Sequence, residues 1–275
     1  MRTVPDRDQL QAGASGLDTI STTMTPSHRA PAVSRAISVL KLLARSADPL
    51  GVNAVARELD MVPSSALHIL RALADDGLVQ ADARTKQYSL GLGLLALAHD
   101  MLGRNQFARV VQPELDAIAR KYGVTSTGVE IDGRERMVVV AMAQGATILK
   151  IQVGLGSRFP AYISATGRCV AAQSGLKEAQ LKQKFNELQW QTPPRFVDWM
   201  AEVEAARKYG VAIDTGNYIT GFTVVAAPIQ TGGEVRQAIS IVGVSEQLSG
   251  KTLTALKRDT HLAAGRVSEQ LRALR

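Results

Sequence analysis

The chain of 275 residues has one cysteine, Cys169, and four histidines. A single thiol excludes an internal disulfide, fits a reducing compartment and removes cysteine-based zinc sites. His28, His68, His99 and His261 are scattered, and none stands beside a carboxylate at metal-ligand spacing. No apolar run approaches the roughly 20 residues that a bilayer span requires. The N-terminus carries no apolar stretch of the signal-peptide kind. A cytoplasmic protein with no membrane partner, no metal and no cofactor is therefore expected. Catalytic motifs are missing too: there is no G-x-S-x-G elbow and no P-loop. Cys169 has no plausible base, and a buried, inert thiol is expected. No catalytic residue is named, although groups far apart in sequence can still meet in a fold.

Hydrophobic residues make up 45% of the chain, enough for a sizeable core, and the length suits one large or two ordinary domains. The net charge of +7 permits a nucleic-acid partner. Its distribution argues only weakly for one. Residues 31–105 hold eight Lys/Arg against seven Asp/Glu, and residues 106–275 hold 21 against 15. An inference of DNA binding has to rest on a motif.

Such a motif lies between Val52 and Arg71, VNAVARELDMVPSSALHILR. Val52, Val55, Ala56 and Leu59 give a first helix an apolar face, and Asn53 is placed to cap it. Pro63 suits the first turn of a second helix, where a missing N–H costs nothing. Ala66, Leu67, Leu70, Leu73 and Ala74 continue the apolar stripe. Two helices joined by a tight turn make a helix-turn-helix, whose second helix presents polar residues to the major groove. Ser64, Ser65, His68 and Arg71 occupy the face left over. The same pair of amphipathic helices also occurs in ordinary helical domains, so the flanks matter. Val33, Ile37, Leu40 and Leu43 repeat at helical spacing upstream. Downstream, Asp75-Asp76-Gly77 reads as a helix end with glycine in the left-handed region. Strand-like Leu78–Gln80 and Gln87–Leu90 then flank a polar tip, Asp82–Lys86. That order is a winged helix-turn-helix.

The runs SRAISVLKLLA and LADDGLVQADARTKQYSLGLGLLALA, on either side of the helix pair, resemble the DNA-binding domain of IclR-type transcriptional regulators. The resemblance extends from residue 31 to about residue 270. Asp60 stands where the family usually has glycine in the turn, and His68 where its recognition helix usually carries arginine. Aspartate tolerates the left-handed region better than most residues.

Residues 1–29, rich in Gly, Ser, Thr, Asp and Pro, read as a disordered tail, residues 30–92 as the winged domain, 93–105 as a linker helix and 106–275 as the effector-binding domain. The linker helix is apolar on more than one face, through Leu92, Leu94, Leu95, Leu97, Met101 and Leu102, and needs a second surface such as its own copy in another subunit. Its opening GLGLLA matches G-x-G-x-x-A. A dinucleotide site would require a buried parallel strand before it, and QYSL is short and polar. Beyond the linker, Gln106–Tyr122 reads as a helix ended by Gly123, with strands at Thr125–Ile131, Met137–Ala143 and Thr147–Val153. Ser164 reads as the N-cap of a small-residue helix. Helices are expected at Lys177–Leu188, Phe196–Tyr209 and Leu253–Leu274, with strands at Phe222–Ile229 and Gln237–Val244. The class is α+β.

The resemblance implies a GAF-like second domain with a pocket on one side of its sheet. SATGRCVAA resembles the family's ligand-facing helix start, with Tyr162 in place of its histidine. Carried over position by position, the effector-binding residues are Ala165, Thr166, Asp214, Phe222, Val224, Ser240 and Val242. That mixture suits a small carboxylic acid or aromatic catabolite. Asp214 also reads as a loop cap bonding the Gly216 N–H. On DNA, Ser64, Ser65, His68 and Arg71 face the groove, and Arg84 and Lys86 reach flanking phosphate from the wing. The expected protein is a ligand-responsive regulator, a repressor of a catabolic operon, acting on double-stranded operator DNA as a homodimer or dimer of dimers. The competing reading is a small-molecule enzyme or sensor with an incidental helix pair.

Overall fold

The computed structural model describes residues 30–146 and 153–274, the side chain of Leu102 excepted. The expected tail, residues 1–29, and residues 147–152 of the expected third strand lie outside the described residues. The chain divides into two compact units between Leu97 and Ala98.

The first unit runs α1 (Pro31–Arg45), β1 (Leu50–Gly51), α2 (Val52–Glu58), α3 (Pro63–Asp75), β2 (Val79–Ala81) and β3 (Gln87–Leu90), and ends within α4 (Gly93–Arg104). Val39, Leu43, Val55, Ala56, Ala66, Leu70, Leu73 and Val79 form its core. Each fully buried Leu or Val contributes roughly 1.5–3 kcal/mol. The turn between α2 and α3 is made by Asp60 at φ 48°, and α3 ends at Gly77 with φ 69°. Pro63 is the first residue of α3. Three expectations change. Gly51 rather than Asn53 caps α2, because the helix begins at Val52 and Asn53 already lies inside it. On α1 the inward residues are Val39 and Leu43, while Val33 and Ile37 are exposed. The wing has a third strand, with β1 pairing β3 antiparallel beside β2.

The glycines of GLGLLA have a steric role. Gly91 N–H donates to Leu78 O at 2.9 Å and Gly93 N–H to Gly77 O at 3.0 Å. A Cβ on Gly91 would lie 2.2 Å from Gly77 O, and one on Gly93 2.8 Å from the same atom. The pattern brings the exit of the wing onto the end of α3, and no strand of a parallel sheet precedes it among the described residues.

The second unit continues with α5 (Gln106–Tyr122), β4 (Thr125–Ile131), β5 (Arg136–Gln144), β6 (Arg158–Pro160), α6 (Ser164–Gln173), α7 (Glu178–Asn186), α8 (Phe196–Tyr209), β7 (Ala212–Thr215), β8 (Phe222–Pro228), β9 (Gln237–Val244) and α9 (Gly250–Ala273). The strands form one antiparallel sheet in the order β6-β5-β4-β9-β8-β7. On α5, Phe107, Val111, Leu115 and Ile118 recur at helical spacing. They meet Val225, Ile239 and Ile241 of the sheet and Leu256, Ala263 and Val267 of α9. Gly128 on β4 admits this close approach, since a Cβ there would lie 2.9 Å from Val111. The other face of the sheet carries α6 and α8, through Ala165, Cys169, Trp199, Val203, Ala212 and Ala226. The fold is α+β: a winged helix-turn-helix unit followed by a sheet covered by helices on both faces.

A candidate DNA-binding face and effector site

Winged units read DNA with the outward side of the second helix and with the wing tip. On α3, Ser64, His68 and Arg71 are exposed and Ser65 is half-buried. The four therefore lie opposite the buried Ala66, Leu70 and Leu73. The His68 ring is held against its own helix, with Nδ1 3.0 Å from Ser64 O. At the wing tip, Asp82 Oδ1 accepts hydrogen bonds from Arg84 N (2.7 Å) and Thr85 N (3.1 Å). These backbone bonds hold the Asp82 carboxyl below its ordinary range. They also fix a turn that leaves Arg84 and Lys86 exposed. Among the described residues, no ion pair involves Arg71, Arg84 or Lys86. Three cations free for phosphate are thus carried on one small unit.

Strand register gathers the effector candidates. Asp214 pairs with Val224, Val224 with Val242, and Val242 with Thr125. The next row down, Ala212, Ala226, Ser240 and Thr127, runs parallel to it. Directly paired residues of an antiparallel sheet point to one face, and residues two apart share it. Asp214, Phe222, Val224, Ser240 and Val242 therefore line one face of the sheet. It is the face under α6, because Ala226 packs there with Ala165 and Cys169. Ala165, Thr166 and Asp214 are buried, and the other four are half-buried.

The start of α6 differs from expectation. Ile163 is the N-cap, and Ser164 is the first helical residue at φ 58°, buried, with no hydrogen-bond partner for Oγ. A left-handed serine is strained. The turn brings the Tyr162 backbone against Gly167, where a Cβ would lie 1.9 Å from Tyr162 C. Asp214 does act as a loop cap, although not on Gly216. Its Oδ1 accepts from Asn217 N at 2.8 Å and Tyr218 N at 3.4 Å, while Gly216 N–H donates to Phe222 O.

The sequence reading missed Arg168, whose side chain is fully buried. Its Nε donates to Glu202 Oε2 at 2.6 Å and its Nη2 to Asn217 Oδ1 at 3.1 Å. Nη1 lies 3.6 Å from Asp214 Oδ2, too far for a hydrogen bond, and both atoms are buried without another partner. The Trp190 ring lies 5.9 Å from the guanidinium carbon. Tyr218 packs edge-on to Phe159, and burial, with the Asp214 charge, pushes its hydroxyl pKa up. A lone arginine in the small-residue run TGRCVAA was the available signal. Cys169 is fully buried, and burial pushes its thiol up to about 12, so it is unreactive.

The sequence patterns of two families match this chain. "Bacterial transcriptional regulator IclR C-terminal" covers residues 99–269 and "IclR helix-turn-helix domain" residues 32–83. The chain belongs to the IclR family of bacterial transcriptional regulators. As an IclR-family protein it is a transcriptional regulator with a helix-turn-helix DNA-binding domain. It is similar to the HTH-type transcriptional repressor AllR of Escherichia coli (strain K12), with 25% identity over 84% of this chain and 88% of that one. AllR of Salmonella typhimurium is 25% identical over 80% and 82%. In fold the chain is similar to the IclR regulator of Alicyclobacillus acidocaldarius, with TM-score 0.75, 24% identity, and 88% and 99% of the two chains covered. It is likewise similar to an IclR homologue of Microbacterium hydrocarbonoxydans complexed with 4-hydroxybenzoate, with TM-score 0.74, 16% identity, and 88% and 99% covered.

Proposed function

We propose that this IclR-family protein is a repressor of a catabolic operon, released or modulated by a small organic acid or aromatic effector. The observation that carries the DNA half is the set of unpaired cations, Arg71 on α3 with Arg84 and Lys86 on the wing, on the exposed side of the first unit. Ser64, Ser65 and His68 complete the groove-facing set. Phosphate contacts from the wing supply affinity, and the recognition helix supplies specificity. The effector half is supported by the row Asp214–Val224–Val242 beneath the start of α6, joined by Ala165, Thr166, Phe222 and Ser240. The repressor role of AllR and the 4-hydroxybenzoate bound by the Microbacterium homologue favour this class of regulator and of ligand.

The assembly is a homodimer or a dimer of dimers on a near-palindromic operator, with residues 30–92 on the DNA, residues 93–105 as linker helix and residues 106–275 binding the effector. The protein works in the cytoplasm and is not an enzyme. No helix among the described residues is long and apolar enough to cross a membrane. The test is a gel shift on the DNA upstream of the chain's own gene, at physiological salt, titrated with candidate catabolites. Specific retardation that an acid reverses is expected. Salt-sensitive smearing alone would remove the operator reading. The same titration on Asp214→Ala and Thr166→Val should need more effector, and curves identical to wild type would place the pocket elsewhere.

A further inference from the structure

The four residues proposed to face the groove differ in what they can offer a base. The hydroxyls of Ser64 and Ser65 can donate or accept, and the Arg71 guanidinium can only donate. For His68 the answer depends on which ring nitrogen carries the proton. Its Nδ1 lies 3.0 Å from Ser64 O, a hydrogen-bond distance. A peptide carbonyl has lone pairs and no proton to give, so Nδ1 is the donor in this bond. In the neutral ring the other nitrogen, Nε2, is then a bare acceptor.

The place of that acceptor narrows its use. His68 is exposed between Ser64 and Arg71 on the outward side of α3, opposite the buried Ala66, Leu70 and Leu73. Nε2 has no partner among the described residues. The bond to its own helix orients the ring before any DNA arrives, so less side-chain freedom is lost on binding. A neutral ring presenting a lone pair has nothing to offer a phosphate, whose oxygens also accept. Base edges are different. In the major groove adenine N6 and cytosine N4 are donors, whereas guanine O6, thymine O4 and the purine N7 atoms are acceptors.

We infer that His68 is a specificity residue which reads an exocyclic amino group, that of adenine or cytosine, through Nε2. It is a base contact and not a phosphate contact. The inference rests on the DNA-binding face proposed above and adds to it the chemical group that one of its residues recognises. It also divides the work of that face. Arg71, Arg84 and Lys86 can only donate, so each suits phosphate or a guanine edge alike. His68 supplies the opposite preference, because a base that put an oxygen before Nε2 would set one lone pair against another. The serine hydroxyls can turn to suit either kind of base and discriminate less.

The test removes one functional group of the DNA at a time. Full-length protein selects duplexes from a random-sequence pool, and the selection is repeated with His68→Ala, shown to be folded by circular dichroism. A base pair that matters to the wild type should cease to matter to the variant. At that pair the amino group is deleted, with purine in place of adenine or 2-pyrimidinone in place of cytosine, and separately N7 is deleted with a 7-deazapurine. Affinities are read by anisotropy at pH 8, where imidazole is neutral. Wild-type affinity should fall at least about fivefold without the amino group and less than about twofold without N7. His68→Ala should respond to either deletion by less than about twofold, which separates the protein contact from the weakened base pair. His68→Arg offers donors only, so its selected sites should carry guanine at this pair and lose affinity when N7 is deleted. A wild type that needs N7 and not the amino group would make the ring a donor and overturn the inference. A His68→Ala selection identical to wild type would mean that His68 reads no base, and would overturn it while leaving the DNA-binding face standing. No enriched sequence with the wild type would remove the inference together with the operator reading.

Discussion

Arg71 has the simplest environment of the residues proposed to face the groove. It is exposed on α3, outside every ion pair among the described residues, and one helical turn from Ser64-anchored His68. Arg71→Ala should therefore weaken specific operator binding by about 1–3 kcal/mol and relax sequence preference. Stability should change by no more than about 0.5 kcal/mol, as for most surface substitutions. Fluorescence anisotropy on operator and scrambled duplexes, beside a thermal melt, reads both. A variant that melts early with unaltered sequence preference would make Arg71 a structural residue. The exposure of Ser64, His68 and Arg71 was legible because an amphipathic helix has an outside. Arg168 was not, since periodicity assigns a lone charge to solvent, and only the approach of Glu202, Asn217 and Asp214 shows it turned inward. Ser164 misled for a related reason. Serine before a helix suggests a cap, and nothing local announces the left-handed backbone that makes it the first helical residue.

At the level of elements, α5 and α9 are clamped by charge as well as by apolar packing. Glu114 receives both Nε and Nη2 of Arg266, at 2.7 and 2.6 Å, and Asp259 receives Lys121 Nζ at 2.6 Å and the Tyr122 hydroxyl at 2.7 Å. The hydrogen bonds from Lys121 and then Tyr122 hold the Asp259 carboxyl at about 2. A carboxyl depressed in the folded state stabilises above its unfolded value and ceases to do so as pH falls toward the folded one. Asp259 should thus contribute about 2 kcal/mol at neutral pH, with roughly half lost by pH 3. Urea midpoints of wild type and Asp259→Asn should converge between pH 5 and pH 3, and a gap independent of pH would deny Asp259 this part. The same scale shows where the sequence spoke clearly. Helices with long apolar stripes, such as Gln106–Tyr122 and Phe196–Tyr209, end where expected. The two-residue β1 and three-residue β6 were missed because pairing, not propensity, makes them strands. The glycines at positions 91 and 93 match a nucleotide pattern, and only the contact with Gly77 O shows that they accommodate backbone.

In the molecule as a whole, apolar surface is left open on the first unit. Val33 and Ile37 on α1 are 59% and 48% exposed, and Leu92, just before α4, and Leu95, within it, are 77% and 66% exposed. Exposed apolar residues of this kind are what an interface between subunits would cover. Light scattering at micromolar concentration should show a dimer or tetramer. Leu95→Glu should dissociate it and cut operator affinity, because each half-site would then bind alone. A monomeric wild type would contradict the assembly. The overall plan was legible because a winged motif and an α+β order are both local patterns read in series. The face of the sheet that each strand residue occupies was not, since it depends on register between strands as distant as β4 and β9. At one point the exit of the wing meets the end of α3 without side chains, Gly91 and Gly93 resting on Gly77 O, beside the packing of Leu70 and Leu73 on Val79 that joins helix and wing. Side chains are the compliant layer of most helix contacts, yielding by changes of rotamer. This point of contact has none, so any side chain larger than hydrogen at position 91 or 93 is accommodated only by moving the peptide of Gly77, and the end of α3 with it.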